Sequence, residues 1–379
     1  MVSLADGDYG QDLMLRLNLP ATGADELAEV RAVLESGYLT QGSKVQEFER
    51  AVNCVIGGKH AFAMSSATTA LHLSLVALGI QPGDEVLVSD FTYPASGNVI
   101  VQQGAVPVCV DVLPDTFAMD AADLEQRITP RSRAVIVVHP FGLAADMDAV
   151  NAVAARHGLP VIEDAACALG AKYRDRWCVT LGDAGCFSFH PRKSVTTGEG
   201  GMIVTGRDDL AQKIAVLRNH GGVREEWYLR FDEAGFNYRL SDIHAAIGVA
   251  QMRKLDWLIG SRRSNAGQLL DLIAEIKGIS LPVEPPECLH SYQSFVVVLE
   301  PGRDRDAVIA RMREEGVETT LGTYAMHSQP FFRRSYGYQP RDLPVSDRLF
   351  RQTLALPLYP QMTAADLRLV AQSLRLALN

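Results

Sequence analysis

FSFHPRKSVTTGEGG, residues 187–201, decides the fold and the chemistry of this chain. It begins within an apolar run, 184–189, and a second apolar run, 202–205, follows its glycines, so the pattern predicts a strand, a loop and a strand. The glycines allow the loop backbone to approach another group closely. A lysine amine held near an aldehyde forms a Schiff base, and Lys193 is the lysine of this loop. A surface lysine in a glycine-rich turn is the other interpretation.

Charge and cysteine spacing argue against several classes of protein. The net charge of −9 argues against a general nucleic-acid binder, but a few local cations could still hold a small anion. The six cysteines have no CxxC spacing, which indicates reduced thiols in the cytoplasm and neither a disulfide framework nor a metal site. No run of 18 apolar residues occurs and Met1–Pro20 has no apolar leader core, so we expect no membrane span and no signal peptide.

Strands and helices alternate along most of the chain. We predict strands at Ala61–Met64, Glu85–Ser89, Ala105–Val110, Ala134–Val138 and Leu159–Ile162. We predict helices at Ala24–Ser36, Val45–Cys54, Ala70–Leu78, Met147–His157, Asp208–Leu217 and Ser241–Leu258. This alternation predicts an α/β fold with a large, doubly wound, mostly parallel sheet that is covered on both faces.

A second, smaller domain is expected because 379 residues are too many for one simple core. Pro282–Pro286 is the clearest linker-like stretch. Beyond it, the sequence predicts a strand at Ser294–Leu299, a helix at Asp304–Glu315 and a terminal helix at Thr363–Leu378, capped by Thr363 with Asp366. We therefore expect a large domain at 1–255, including the N-terminal segment, and a small α+β domain at 256–379.

A hydroxyl-rich turn, Ser65-Ser66-Ala67-Thr68-Thr69, joins the first predicted strand to an apolar helix. The free N–H groups and the positive end of a helix attract anions, and hydroxyls add donors. Simple capping by Ser65 or Ser66 is the alternative, although a cap needs only one such residue. The turn lacks the Gly-Lys-Ser/Thr ending of a Walker A loop. These features favour a phosphate at this helix start.

Two further side chains follow predicted strands, at the sheet edge where open α/β folds bind ligands. Tyr93 lies just beyond Glu85–Ser89 and could stack on a flat ring, or it could be a packing residue. Asp164 comes directly after the strand ending at Ile162, and acidic residues rarely end a buried strand. Its carboxylate could pair with a buried cation, or it could cap a helix beginning at Ala165. The lysine downstream favours the first interpretation.

Pyridoxal 5′-phosphate (PLP) needs these four features together. A lysine binds its aldehyde, an acidic residue keeps its pyridinium nitrogen protonated, an aromatic side chain stacks on its ring, and a helix start holds its phosphate. Lys193, Asp164, Tyr93 and the 65–69 turn provide them, all at the ends of core elements. The combination predicts a PLP enzyme, although each feature alone is weak.

From about Leu17 to the C-terminus, the chain resembles the DegT/DnrJ/StrS family of fold-type I aminotransferases, which act on nucleotide-linked keto sugars. The motifs that carry the resemblance are Ser65-Ser66-Ala67-Thr68, Glu163-Asp164-Ala165-Ala166, Phe187-Ser188-Phe189-His190-Pro191-Arg192-Lys193, Thr197-Gly198-Glu199-Gly200-Gly201 and Gly235-Phe236-Asn237-Tyr238-Arg239. The resemblance implies transamination from an amino acid, with L-glutamate expected as donor, through a pyridoxamine 5′-phosphate (PMP) form. It implies that Lys193 is the Schiff-base lysine and the acid/base of the proton shift, and that Asp164 holds the pyridinium.

Further roles follow from the same resemblance. The matching positions place Ala67, Thr68 and Ser188 at the phosphate, Tyr93 on the ring, and Asn237 at the phosphate of a neighbouring subunit. The last of these implies a homodimer with shared active sites. Thr40, His327 and Tyr324 match regions that line the sugar-nucleotide pocket.

One departure and three alternatives remain open. Relatives often carry Gln or His where this chain has Cys167, so the usual hydrogen bond to the cofactor's phenolic oxygen is in doubt or replaced. A PLP- or PMP-dependent sugar dehydratase (deoxygenase) of the same fold normally carries histidine in place of Lys193. A cyclitol ketone could replace the sugar as acceptor, and a non-catalytic binding protein on the same scaffold is the remaining alternative.

Overall fold

The computed structural model describes residues 14–379. Part of Met1–Pro20, the segment in which we expect no signal peptide, therefore lies outside the described residues. The helices are α1 Ala24–Ser36, α2 Ser43–Ile56, α3 Ala67–Leu78, α4 Ala95–Gln102, α5 Ala121–Arg127, α6 Met147–His157, α7 Asp208–Leu217, α8 Asp242–Arg253, α9 Leu255–Ile273, α10 Arg305–Glu314, α11 Pro330–Tyr336, α12 Pro344–Gln352 and α13 Ala364–Leu378. Within residues 14–379, no helix is long and apolar enough to cross a membrane.

The strands form one large sheet and several small ones. They are β1 His60–Met64, β2 Glu85–Ser89, β3 Phe91–Thr92, β4 Val106–Val110, β5 Ser132–Val138, β6 Val161–Asp164, β7 Lys172–Tyr173, β8 Arg176–Trp177, β9 Ala184–Ser188, β10 Gly201–Thr205, β11 Gly222–Arg224, β12 Leu229–Phe231, β13 Ile279–Ser280, β14 Cys288–Leu289, β15 Phe295–Leu299, β16 Thr320–Leu321, β17 Tyr324–Ala325 and β18 Thr353–Leu356.

The large sheet has seven strands in the order β1-β10-β9-β6-β5-β2-β4. Its neighbours are parallel from β9 to β4, whereas β10 runs antiparallel to both β9 and β1. The predicted large, mostly parallel sheet is confirmed. Because β9 and β10 are adjacent and antiparallel, the loop that carries Lys193 connects two neighbouring strands at one edge of this sheet.

Side chains of the large sheet alternate between two separate apolar clusters. In β5, Val135 and Val137 belong to one cluster and Ala134 and Ile136 to the other. Helices α2, α6 and α8 contribute to the first cluster, and α3, α4 and α7 contribute to the second. Helices therefore cover both faces, as the run of buried residues along these strands predicts.

A smaller sheet in the order β13-β15-β18-β16 packs against α9, α10 and α13. The predicted helix at the C-terminus is confirmed, and Thr363 accepts a hydrogen bond from Asp366 N while the Asp366 carboxylate accepts one from Thr363 N. This reciprocal pair satisfies two N–H groups that a bare helix end would leave without partners.

Three local expectations differ from the structure. The predicted helix Ser241–Leu258 is wrong as one element, because α8 ends at Arg253 and α9 starts at Leu255 after a break at Lys254. No helix begins at Ala165, where the chain instead makes a turn. The strand predicted at Leu159–Ile162 spans Val161–Asp164, so Asp164 belongs to the strand and does not follow it.

Candidate active site

Asp164 is the last residue of β6, at the carboxyl end of a central strand. Its side chain is buried, and its two carboxylate oxygens have different partners. Oδ2 accepts a hydrogen bond from the Ser96 hydroxyl at 2.7 Å, and Oδ1 accepts one from Ala166 N at 3.2 Å. Each oxygen keeps a further lone pair, so the carboxylate can still accept a hydrogen bond from a ligand at this edge.

The Ser96 hydroxyl was not identified by the sequence reasoning. Ser96 lies in α4, is fully buried, and lies 3.0 Å from the Thr92 hydroxyl, which is buried as well. Because Ser96 has one proton and a carboxylate only accepts, the short bond to Asp164 uses that proton and leaves Thr92 to donate to Ser96. The spacing of Thr92 and Ser96, four residues apart on one side of a helix start, is the signal that could have revealed this chain of hydroxyls.

Glu163, next to Asp164, points to the opposite face of the sheet and is fully buried. Its carboxylate accepts hydrogen bonds from the N–H groups of Val179, Leu181 and Gly182, each at 2.7 Å, and from His139 Nε2 at 2.8 Å. Since His139 Nδ1 accepts from Ala145 N, the proton of the neutral ring lies on Nε2. This fully bonded carboxylate anchors the strand that carries Asp164.

The register of three strands brings the hydroxyl-rich turn to the end of β9. Gly201 pairs with Met64 on one side and with Ser188 on the other. A Cβ atom at Gly201 would lie 2.5 Å from Ala67 N and still closer to the Ser66 carbonyl, so only glycine fits here. Ser188 and the start of α3 are therefore adjacent.

The start of α3 has backbone N–H groups that no protein acceptor within residues 14–379 uses. Ser66 caps the helix by accepting from Thr69 N at 3.1 Å, which leaves the N–H groups of Ala67 and Thr68 without a protein acceptor among residues 14–379. The Ser188 hydroxyl accepts from His190 N, so its own proton is available for another acceptor. Two helix N–H groups and nearby hydroxyls make a suitable phosphate site.

Lys193 lies at the same edge, and its Nζ atom is 3.1 Å from Cys167 Sγ. Cys167 follows Asp164 by three residues through the turn that replaces the rejected helix. The Lys193 backbone N–H donates to His190 O at 2.8 Å, and burial lowers the pKa of the His190 ring beside it. The lysine amine is therefore held near the strand end that carries the aspartate.

Tyr93, Tyr324 and His327 lie around the next strand end. The Tyr93 ring is 67% exposed and makes an edge contact with Tyr324, with ring centroids 6.1 Å apart. His327 is fully buried, and Asp90 accepts hydrogen bonds from its backbone N–H at 2.7 Å and from Nδ1 at 2.6 Å. His327 Nε2 is buried and has no hydrogen-bond partner within residues 14–379.

Thr40 and Asn237 lie on other loops of this chain. The Thr40 carbonyl accepts from Asp242 N, and exposed Asn237 forms an isolated bridge with Asn219. No hydrogen bond connects either residue to Lys193 or Asp164 within the described part of the chain, 14–379. The structure thus brings together the lysine, the aspartate, the aromatic and the phosphate-suited turn, but not these two residues.

The groups at this edge suit PLP by the chemistry of their donors and acceptors. A buried carboxylate with spare acceptor capacity matches a protonated ring nitrogen, and an amine whose side-chain partner is a weakly bonding thiol can react with an aldehyde. The free N–H groups at the start of α3 match a phosphate dianion.

Comparisons with known proteins identify the family of this chain. The model of the DegT/DnrJ/EryC1/StrS aminotransferase family matches residues 20–375. The spore coat polysaccharide biosynthesis protein SpsC of Bacillus subtilis is 37% identical over 374 residues, which cover 95% of this chain and 96% of SpsC.

Solved structures give the same result. The aminotransferase TlmJ from Streptoalloteichus hindustanus superposes with a TM-score of 0.91 at 31% identity, covering 96% of this chain and 99% of TlmJ. The PLP form of Spr1654 from Streptococcus pneumoniae superposes with a TM-score of 0.91 at 25% identity, covering 96% of this chain and 98% of that one. Spr1654 is also known in a PMP form.

Proposed function

Because the chain belongs to the DegT/DnrJ/EryC1/StrS aminotransferase family and is a PLP-dependent transaminase, we propose that it moves an amino group from L-glutamate to a keto group of a nucleotide-linked sugar. The observation that carries this proposal is the meeting of Lys193 and Asp164 at one sheet edge, where Lys193 Nζ contacts Cys167, three residues after the aspartate. The lysine at position 193 also favours transamination over dehydration, because the sugar dehydratases of this fold normally carry histidine at this position.

The cofactor, when bound, supplies an aldehyde for the amine and an electron sink for the carbon that loses its proton. We assign Asp164 to the ring nitrogen, where its negative charge favours the protonated pyridinium. Tyr93 stacks on the ring, which fits its exposed side chain. Ala67, Thr68 and Ser188 hold the phosphate through backbone N–H groups and hydroxyls.

Lys193 has two roles in this proposal. Its Nζ atom would bind the aldehyde of the cofactor, and as a free amine it would serve as the acid/base group of the 1,3-proton shift. Cys167 Sγ lies 3.1 Å from that atom, at the position where relatives often carry the Gln or His that would hydrogen-bond the cofactor's phenolic oxygen. Because a thiol sulfur is a weak acceptor, it competes less for the lysine amine than an amide oxygen or an imidazole nitrogen would.

We also propose a homodimer in which Asn237 reaches the phosphate of the neighbouring subunit. Asn237 is exposed in the single chain and makes no contact with its own Lys193. Large apolar side chains are exposed on α1 and on the β11–β12 hairpin: Leu27, Leu34, Trp227, Tyr228 and Phe231. Exposed large apolar side chains of this kind support the proposal of a protein interface.

The sugar-nucleotide acceptor is assigned to the surface near Tyr324 and His327, with Thr40 as a further contact. His327 supports this assignment because Asp90 holds its ring through Nδ1, and its buried Nε2 atom has no hydrogen-bond partner within residues 14–379. The name of SpsC refers to polysaccharide biosynthesis, which favours a sugar over a cyclitol as acceptor. We further propose two domains, 1–255 and 256–379, and a cytoplasmic location. The six free cysteines support the location.

The test uses the purified protein reconstituted with PLP. L-Glutamate alone should bleach the visible band of the cofactor–lysine linkage as the PMP form accumulates, and a keto-sugar nucleotide should restore it. Mass spectrometry with ¹⁵N-glutamate should then find the label in an amino-sugar product. If no amino acid changes the spectrum, the transamination proposal is wrong; if only cyclitol ketones restore the band, the sugar assignment is wrong.

A further inference from the structure

Arg262 of α9 is the largest side chain in the described structure that is fully buried, with 1% of its surface exposed. Its guanidinium donates to three oxygens: the Asn18 side-chain Oδ1 at 2.7 Å, the Gln293 carbonyl at 3.1 Å and the Leu358 carbonyl at 2.7 Å. Its Nε atom has no partner, and no carboxylate pairs with it among residues 14–379. A buried cation without a counter-charge calls for an explanation.

The cost of this arrangement is evident from its electrostatics. Burial lowers the pKa of Arg262 to about 10, yet the group stays charged at neutral pH. Removing an ion from water without pairing it is unfavourable, and a well-packed apolar side chain often stabilises such a place better. Stability alone therefore does not explain an arginine at this position.

The partners of Arg262 lead to the lysine loop by two routes. Asn18, whose Oδ1 accepts from Arg262, uses its Nδ2 group to donate to Pro191 O at 3.0 Å. Gln293, whose carbonyl accepts from Arg262, uses its Nε2 group to donate to Arg192 O at 2.7 Å. The two carbonyls that these amides hold belong to the two residues immediately before Lys193.

We propose that Arg262 is a positioning residue for Lys193. It fixes Asn18 and Gln293, and these fix the backbone of the lysine loop from two sides. The inference rests on the proposed role of Lys193 and concerns a residue that touches neither cofactor nor substrate. The guanidinium suits this task because its planar fork donates in several directions at once, which an ammonium cannot match with fixed geometry. Its charge also polarises the Asn18 amide, so the bond to Pro191 is strengthened.

The chain provides a matched control in Arg263, the next residue of α9. Arg263 pairs with Glu284 at 2.7 Å and donates to the His290 carbonyl, and neither partner contacts the lysine loop by a hydrogen bond. Arg263→Gln therefore removes an arginine from the same helix without cutting a route to Lys193. Arg262→Gln cuts both routes, and Arg262→Lys keeps the charge but not the fork.

The experiment has two readouts on the full-length protein. The first is hydrogen–deuterium exchange in the cofactor-free protein, followed in peptides that cover residues 190–197, where the Lys193 N–H is bonded to His190 O. We expect roughly tenfold faster exchange in Arg262→Gln, a smaller increase in Arg262→Lys, and wild-type exchange in Arg263→Gln. The second is the rate at which added PLP becomes trapped on Lys193 by borohydride, measured by peptide mass spectrometry. A misplaced amine should react on the order of 10- to 100-fold more slowly.

The outcomes distinguish failure of the proposed role of Lys193 from failure of the positioning role of Arg262. Absence of a Lys193 adduct in the wild-type protein overturns the proposed role of the lysine and, with it, this inference. An adduct in the wild type, with loop exchange and trapping rates in folded Arg262 variants equal to those of Arg263→Gln, overturns the inference alone. If the Arg262 variants do not fold, Asn18→Ala and Gln293→Leu each cut one route and must each give a smaller loop-specific effect; unchanged loops in both overturn it.

Discussion

Replacing Gly201 with alanine should weaken PLP binding much more than replacing Gly206, which directly follows the same strand. A Cβ atom at position 201 would lie 2.5 Å from Ala67 N and closer still to the Ser66 carbonyl, whereas a Cβ atom at position 206 meets nothing within 4 Å. Neither glycine has a positive φ, so backbone strain is not the difference between them. The alanine at 201 must push the Ser66–Ala67 turn away from the strand.

The structure sets the size of the effect. Overpacking a site of this kind costs about 1–3 kcal/mol of folding free energy. A displaced turn also misaligns the free N–H groups of Ala67 and Thr68, and each hydrogen bond to a charged group contributes about 1.5–3 kcal/mol. Losing one of them predicts a Kd for PLP that is roughly 10- to 150-fold higher.

The assay is a PLP titration followed by absorbance, with thermal unfolding of the cofactor-free proteins measured in parallel. Gly201→Ala should show both a lower melting temperature and weaker PLP binding, and Gly206→Ala should match the wild type in both. If Gly201→Ala binds PLP as tightly as Gly206→Ala while the clash lowers its stability, the turn does not hold the phosphate. If Gly201→Ala is also as stable as Gly206→Ala, Gly201 does not pack against Ser66 as the structure shows.

Three further predictions follow from other parts of the structure. Ser96→Ala removes the donor to Asp164 Oδ2 and should lower kcat roughly 10- to 100-fold, which is the scale of one charge-assisted hydrogen bond. Ser96→Thr keeps the hydroxyl and should retain more activity. Equal activity of the two variants would contradict the assignment. Burial lowers the pKa of His290 to about 4, so the unfolded chain binds a proton more readily than the native state between pH 6.5 and 4. Urea unfolding should therefore show that the free energy of unfolding falls by roughly 2 kcal/mol from pH 7.5 to 5, and this loss should be smaller in His290→Gln. Mixing inactive Lys193→Ala with inactive Asn237→Ala under conditions of subunit exchange should restore part of the activity, because a hybrid dimer with shared sites has one intact site; no recovery despite exchange would contradict the shared site.

Much of the site could be predicted because parallel strands end at the same sheet edge. Asp164 ends such a strand, Tyr93 lies just beyond another, and the Lys193 loop joins two apolar strands, so the sheet itself brings them to the same edge. The bounds of β2, α6 and α7 were predicted to the residue, since each has a clear period or a cap such as Asp146.

What the sequence did not reveal depends on contacts between distant segments. Ser96 meets Asp164 only after the sheet has formed, and arginine is among the residues least expected in a core, so Arg262 gave no signal. The break at Lys254 lacks the Gly or Pro that usually marks a helix end.

The pairing of Ser188 with Gly201 has a consequence for how this enzyme could diversify. The chain leaves the sheet after Ser188 and returns to it at Gly201, its partner in the neighbouring strand, and Phe189 N donates to Gly200 O just beyond this pair, so the two ends of the 189–200 loop are fixed side by side. Insertions or exchanges within such a loop leave the register of β9 and β10 unchanged, since the entropic cost of a longer loop grows only slowly with its length. Changes of length are therefore expected at the exposed tip, Gly198-Glu199, because residues 194–197 are buried and the Pro191 and Arg192 carbonyls are held by Asn18 and Gln293.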